Sequence, residues 1–224
     1  MFARFNDNKY YIPIEGNKVV DIRDLSVCDR TNKHMFMEQI NTIYDVNCNI
    51  EPIRDILNKM VGENNFEFFK QLLGFLICPN NNRKFSLIVD GHVQTLKELL
   101  HKSFNVAYSH VTIPMYSNIN VMDLAQGKDH KRLMSFTVCE PSVSHSMLNK
   151  LIYNKYLNVN SIIYRDNIQE ICSDSDMYVY SFTLNQIDLG IYKENSYNFP
   201  SMFLMFCIIS ANESYVNNIH VPKK

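Results

Sequence analysis

The feature that most constrains this chain is a strand-like run followed at once by a glycine and a helix-like run. Residues 84–90 are mostly apolar, Gly91 comes next, and residues 92–100 place their leucines at helical spacing. A strand, a glycine turn and the start of a helix form the local architecture that binds phosphate at a helix N-terminus. The sequence therefore predicts a strand over 84–90, a turn at Gly91 and a helix after it.

The chemistry of a working phosphate-binding loop is missing from this stretch. Such a loop follows the pattern G-x-x-x-x-G-K-S/T, in which the lysine neutralises the terminal phosphates. After Gly91 there is neither a second glycine nor a lysine before Thr95, and Lys97 lies further along the predicted helix. Thr95 has a hydroxyl near the helix start, although the simpler interpretation is an ordinary first-turn residue. We expect Gly91 and Thr95 to be vestigial nucleotide-binding positions.

Composition and charge restrict the class of protein. The net charge is −1, so a nucleic-acid partner would need a local basic patch. The six cysteines have no metal-ligand spacing, and we predict no metal site. The N-terminal residues are interrupted by charges, and the longest apolar run, Met202 to Ile209, is too short to span a bilayer. These features predict an intracellular protein that is neither secreted nor bound to a membrane.

The N-terminal third predicts a hairpin followed by helices. Alternating residues on both sides of Glu15–Asn17 predict a β-hairpin within 1–24. Apolar residues at helical spacing predict a helix over 31–47, a second that begins at Pro52 and ends at Gly62, and a third that begins at Asn65 and ends before Pro79.

The remainder of the chain alternates strand-like and helix-like segments. The continuous apolar run Met202–Ile209 predicts a fully buried central strand. The alternation predicts an α/β layered domain with a mainly parallel sheet over about 80–215, preceded by a small helical N-terminal segment. Further strands are predicted at 105–113, 131–141, 161–164 and 177–180, and helices at 122–126 and 144–156.

Three segments in a fixed order resemble motifs of the superfamily 3 helicase ATPase domain, and most of all the primase–helicases of poxviruses and other large DNA viruses. Residues 69–91 are similar to the helix, polar loop and strand that lead into the phosphate loop. Residues 123–141 are similar to the second motif, a basic lead-in to a strand that ends in the acidic Glu140. Residues 199–212 look like the third motif, a buried strand that ends in the polar Asn212. The abundance of Asn, Tyr, Ile and Lys fits an AT-rich genome, whether viral or cellular.

The resemblance covers about residues 66–213 and implies an AAA+/P-loop-like layered fold and a hexameric, ATP-driven DNA-unwinding machine. It divides the chain into an N-terminal hairpin and helices, 1–64, and a degenerate helicase-like ATPase domain, 65–224. It implies that Glu140 organises Mg²⁺ and the attacking water, and that Asn212 holds that water or the γ-phosphate. Because the loop lysine is absent, most of the electrostatic stabilisation of phosphoryl transfer is lost. We therefore expect weak or absent ATP hydrolysis, vestigial roles for Glu140 and Asn212, and no cofactor unless the altered site still binds Mg-ATP.

Basic residues supply the candidates for nucleic-acid contacts. Lys128, Lys131 and Arg132 form a cluster before a predicted strand, and Arg165 is the last arginine of the chain. A charge run beside a strand start is also what an ordinary solvated surface contains.

These observations predict a non-catalytic helicase-like protein of viral replication, in the cytoplasm or nucleus of an infected cell. Its expected partner is a protein, either a replication complex or further copies of itself, with DNA as an alternative. Two other hypotheses stay open: an unrelated α/β viral interaction or host-modulating protein without nucleotide ancestry, and an enzyme with an unorthodox nucleotide loop. A parallel sheet with Glu140 and Asn212 on adjacent strand ends beside Gly91 would favour the first hypothesis.

Overall fold

The structure is a computed structural model. It describes residues 10–34, 36, 39–77, 85–90, 103, 136–139, 160–165, 178–187 and 199–217. Within these residues the chain forms an antiparallel sheet, a parallel sheet and three long α-helices.

The antiparallel sheet contains the predicted hairpin and one further strand. Its strands, in the order β1-β2-β3, are β1 (Tyr11–Ile14), β2 (Lys18–Asp21) and β3 (Val27–Asp29). The turn between β1 and β2 places Gly16 and Asn17 at positive φ (80° and 58°). Glycine and asparagine adopt this conformation more readily than other residues, which is why the chain reverses here. The hairpin prediction is confirmed, whereas the sequence did not predict β3.

The helix predicted over 31–47 is wrong for the residues described there. The structure has a short 3₁₀ turn at Asn32–His34 and no helix over 39–50. Ile40 instead pairs with the outer side of β1: it forms a parallel bridge with Ile14 and donates its N–H to the carbonyl oxygen of Pro13 at 2.9 Å. The helical spacing of these apolar residues does not produce a common buried face, because Ile40 is buried and Ile43 is exposed.

Two helices follow as predicted, α1 (Glu51–Val61) and α2 (Glu63–Ile77), each beginning one or two residues earlier than expected. Pro52 lies in the first turn of α1, where its missing N–H costs no helical hydrogen bond. Gly62 ends α1 with φ 82° and donates its N–H to the carbonyl oxygen of Asn58. The predicted apolar faces are buried: Ile53, Ile56, Leu57 and Met60 on α1, and Phe66, Phe69, Leu72, Leu73 and Leu76 on α2.

The described part of the second sheet has four strands, and every neighbouring pair is parallel. The strands are β4 (Phe85–Asp90), β5 (Phe136–Cys139), β6 (Asn160–Arg165) and β7 (Tyr178–Thr183), in the order β5-β6-β4-β7. The strands predicted at these places are confirmed, and so is an α/β architecture with a parallel sheet. The turn at Gly91 and the elements predicted at 92–100, 105–113, 122–126 and 144–156 lie outside the described residues.

Both faces of β4 are buried. Leu87 and Val89 lie in register with Tyr180 and Phe182 of β7 on the face that packs against the helices. Ser86 and Ile88 are fully buried too, and alternation along a strand places them on the opposite face. A strand buried on both faces explains why this segment is a nearly continuous apolar run.

The last described element is a helix, α3 (Phe199–Val216), and the strand predicted at Met202–Ile209 is wrong. All residues from Met202 to Ile208 are buried, so the helix has no polar face in this part and its sequence shows no helical period. One continuous core joins β1, β2, α1, α2, β4, β7 and α3. The proposed boundary between residues 64 and 65 falls in the first turn of α2 and stays a prediction.

Candidate functional site

The candidate site is the carboxyl edge of the parallel sheet. Because all four described strands are parallel, their carboxyl ends meet at the same edge. In open α/β sheets, ligands bind outside this edge, in the crevice where the strand order reverses direction. In the order β5-β6-β4-β7, the strand that follows β4 in sequence lies toward one end of the row of strands, and the strand that follows β6 lies toward the other end. The reversal therefore falls between the adjacent strands β4 and β6.

The register brings three polar residues into one row at this edge. Asp90 at the end of β4 pairs with Arg165 at the end of β6 and with Thr183 at the end of β7. Neighbouring strands are about 4.8 Å apart, so an acidic, a basic and a hydroxyl residue occupy consecutive positions. On β5, Cys139 pairs with Ile163, two residues before the end of β6.

The predicted site residues divide into those that the structure places and those that it does not. Arg165 is placed at the carboxyl edge, on the strand beside β4. Gly91 directly follows β4 in sequence, and Glu140 directly follows β5. The last residues of these two strands lie at the carboxyl edge. Gly91 and Glu140 themselves lie outside the described residues, as do Thr95, Lys128, Lys131 and Arg132.

The strand-end position predicted for Asn212 is wrong. Asn212 lies in α3, where its Nδ2 donates to the carbonyl oxygen of Ile22 at 2.7 Å. This bond joins the last helix to the end of the antiparallel sheet. The expectation of Glu140 and Asn212 on adjacent strand ends depended on the incorrect strand at 202–209.

Asn185, which no sequence pattern marks as functional, connects the carboxyl edge to α1 by two hydrogen bonds. It lies two residues beyond β7, and its backbone N–H donates to the carbonyl oxygen of Met60 at 2.8 Å. Its side-chain Nδ2 donates to the carbonyl oxygen of Lys59 at 3.1 Å. The last carbonyls of a helix have no partner within the helix, and Asn185 satisfies two of them. The pairing spans more than 120 residues of sequence, so no local pattern reveals it.

A buried lysine joins α2 to α3. Lys70 Nζ lies 2.6 Å from a carboxylate oxygen of Glu213 and 2.9 Å from one of Glu67. Burial alone would lower the pKa of Lys70, but the hydrogen bonds to Glu213 and Glu67 outweigh it and raise the pKa overall. The amino group is thus charged and satisfied, which is the arrangement of a structural ion pair. The spacing of Glu67 and Lys70 on one helix face was visible in the sequence, whereas Glu213 was not.

A second charged cluster lies on the antiparallel sheet. Arg23 donates to both carboxylate oxygens of Asp21 and to the hydroxyl of Tyr11, and its guanidinium lies 4.7 Å from the ring centre of Tyr10. The hydrogen bond from Arg23 holds the pKa of Asp21 below its usual value. Tyr10 also meets Tyr215 of α3 edge to face, with ring centres 5.6 Å apart. The cluster therefore connects the start of β1 and the end of β2 to α3.

Among the described residues, no group of three or more His, Cys, Asp or Glu side chains is arranged to hold a metal ion. No helix in the same part of the chain combines the length and apolar character needed to cross a membrane.

Comparisons with known proteins give a likeness of fold. No family model matches the chain. No curated protein matches it either. Among solved structures, the A form apo structure of the NrS-1 C-terminal region matches with a TM-score of 0.51 and 12% identity, over 88% of this chain and 55% of that one. A second apo structure of the same region gives a TM-score of 0.48 and 13% identity, over 91% and 56%. The chain thus spans about half the length of the region it matches.

Proposed function

We propose that this chain is a helicase-like protein of viral replication that does not hydrolyse ATP and acts by binding another protein. The observation that carries the proposal is that β4 and β5 lie in one parallel sheet, with β6 between them. Gly91 directly follows β4 without the glycine and lysine of a phosphate loop, and Glu140 directly follows β5. The likeness to the NrS-1 C-terminal region supports the fold alone.

The absence of the loop lysine disfavours catalysis for an electrostatic reason. Phosphoryl transfer depends on positioning and on neutralising charge on the transferring group, and the loop lysine supplies much of that charge. Arg165 is placed at the same edge, but its register neighbour is Asp90. Arg165 does not follow Gly91 in sequence, where the lysine of a phosphate loop stands, so it does not replace that lysine.

The first experiment measures Mg²⁺-dependent ATP hydrolysis by the purified full chain and by Glu140→Gln. We expect both proteins to show the background rate of a blank preparation. Hydrolysis above background that Glu140→Gln abolishes would contradict the proposal and favour an enzyme with an unorthodox loop. Titration with millimolar ATP and GTP separates loss of hydrolysis from loss of binding, because binding without turnover is still compatible with a non-catalytic protein.

A second candidate function is favoured by one observation. The third segment of the helicase resemblance, residues 199–212, lies in a helix rather than in a strand ending in a sensor. An unrelated α/β interaction protein without nucleotide ancestry accounts for this directly. Affinity capture from infected cells distinguishes the two: replication proteins or copies of this chain support the first function, and host proteins outside replication support the second.

A further inference from the structure

We draw no further inference here: the strongest candidate, the partly exposed surface cluster of Tyr10, Tyr11, Arg23 and Tyr215 where the antiparallel sheet meets α3, carries nothing further because Arg23 is already paired with Asp21 and nothing in the structure shows what covers the rings.

Discussion

Helix α3 is held on two sides by different kinds of contact, and the comparison shows which part of the fold tolerates change. Toward α2 the two backbones approach closely at Gly74, where an added Cβ would lie 2.6 Å from the carbonyl carbon of Ser210, and the ion pair of Lys70 with Glu213 adds to this contact. Toward the antiparallel sheet the contact is between side chains, through the bond from Asn212 to Ile22 and the ring contact of Tyr10 with Tyr215. The first contact has no room to adjust, whereas the second can lose a group and repack.

The difference follows from what each side buries. The interface of α2 and α3 forms the centre of the core, and interiors are packed closely enough that one methyl group is felt. The end of α3 at Tyr215 and Val216 is exposed. Stability should therefore fall steeply for changes on the α2 side and gently for changes on the sheet side.

The largest effect is expected for Gly74→Ala. Alanine favours a helix by about 1 kcal/mol over glycine, but here its Cβ would overlap the backbone of α3. Overpacking of this kind costs about 2–3 kcal/mol, so we expect a net loss of stability in urea unfolding. Gly16→Ala is the control: it has positive φ but nothing within 4 Å, and should cost about 1 kcal/mol. A Gly74→Ala protein as stable as the wild type would contradict the close helix contact.

The next effect is expected for Lys70→Met, which keeps the buried stem and removes the charge. Glu67 and Glu213 lose their partner, but both are partly exposed and water compensates in part. We expect a loss of about 1–2 kcal/mol by urea unfolding. Because the pKa of Lys70 is raised, its contribution is fully present below the ordinary lysine value and is lost only as pH rises through the folded pKa.

Two further measurements check the role of Lys70. The difference between Lys70→Met and the wild type should be constant from pH 6 to pH 9, because the lysine is charged throughout this range in both states. A double-mutant cycle with Glu213→Gln should show that the two changes are not additive. Additive effects would mean that the ion pair does not join α2 to α3.

On the sheet side, Asn212→Ala leaves the carbonyl oxygen of Ile22 without its side-chain donor. We expect a loss of about 1 kcal/mol, smaller than the loss at Gly74, because this group is only partly buried. Asn212→Asp tests the direction of the bond: it keeps the size of the side chain and removes the donor, so it should cost as much. If ATP binding is detected, neither variant should alter it, since Asn212 does not lie at the carboxyl edge.

Two apolar runs, β4 and Met202–Ile209, show what could be predicted from the sequence. β4 was predicted correctly, since a short apolar run between polar segments has the length of a strand. Met202–Ile209 has the same appearance but is part of an 18-residue helix. Burial on all sides removes the polar face by which a helix is recognised. Total helix length was the only remaining signal, and Pro200 near the start of α3 supports a helical first turn.

The candidate site was only partly predictable for a related reason. The strands that precede Gly91 and Glu140 were predicted from the sequence, and their last residues lie at the carboxyl edge. The row formed by Asp90, Arg165 and Thr183 depends on strand order and register, which single-strand patterns do not contain. Asn185 and the carbonyls of α1 are joined by tertiary packing alone.

The smallest effect is expected for Asp21→Asn, in the cluster that fastens the sheet to α3. The Arg23 side chain is 41% exposed, so solvent weakens the pair and we expect a loss of only about 0.5–1 kcal/mol at pH 7. Because the pKa of Asp21 is lowered, its contribution is present above the ordinary value near 3.8 and is lost as pH falls through the folded pKa. The difference between the variant and the wild type should therefore be constant from pH 7 to about pH 5 and shrink below pH 4.

Asp55→Asn provides the matched control for this measurement. Asp55 forms an exposed pair with Lys59 within α1, and such pairs contribute about 0.3–0.5 kcal/mol. A larger acid-sensitive loss for Asp21→Asn than for Asp55→Asn would place the extra stability in the contacts of Arg23 with Tyr10 and Tyr11. Equal losses would mean that the sheet side of α3 is held by Asn212 and the tyrosine rings, without help from the charged pair.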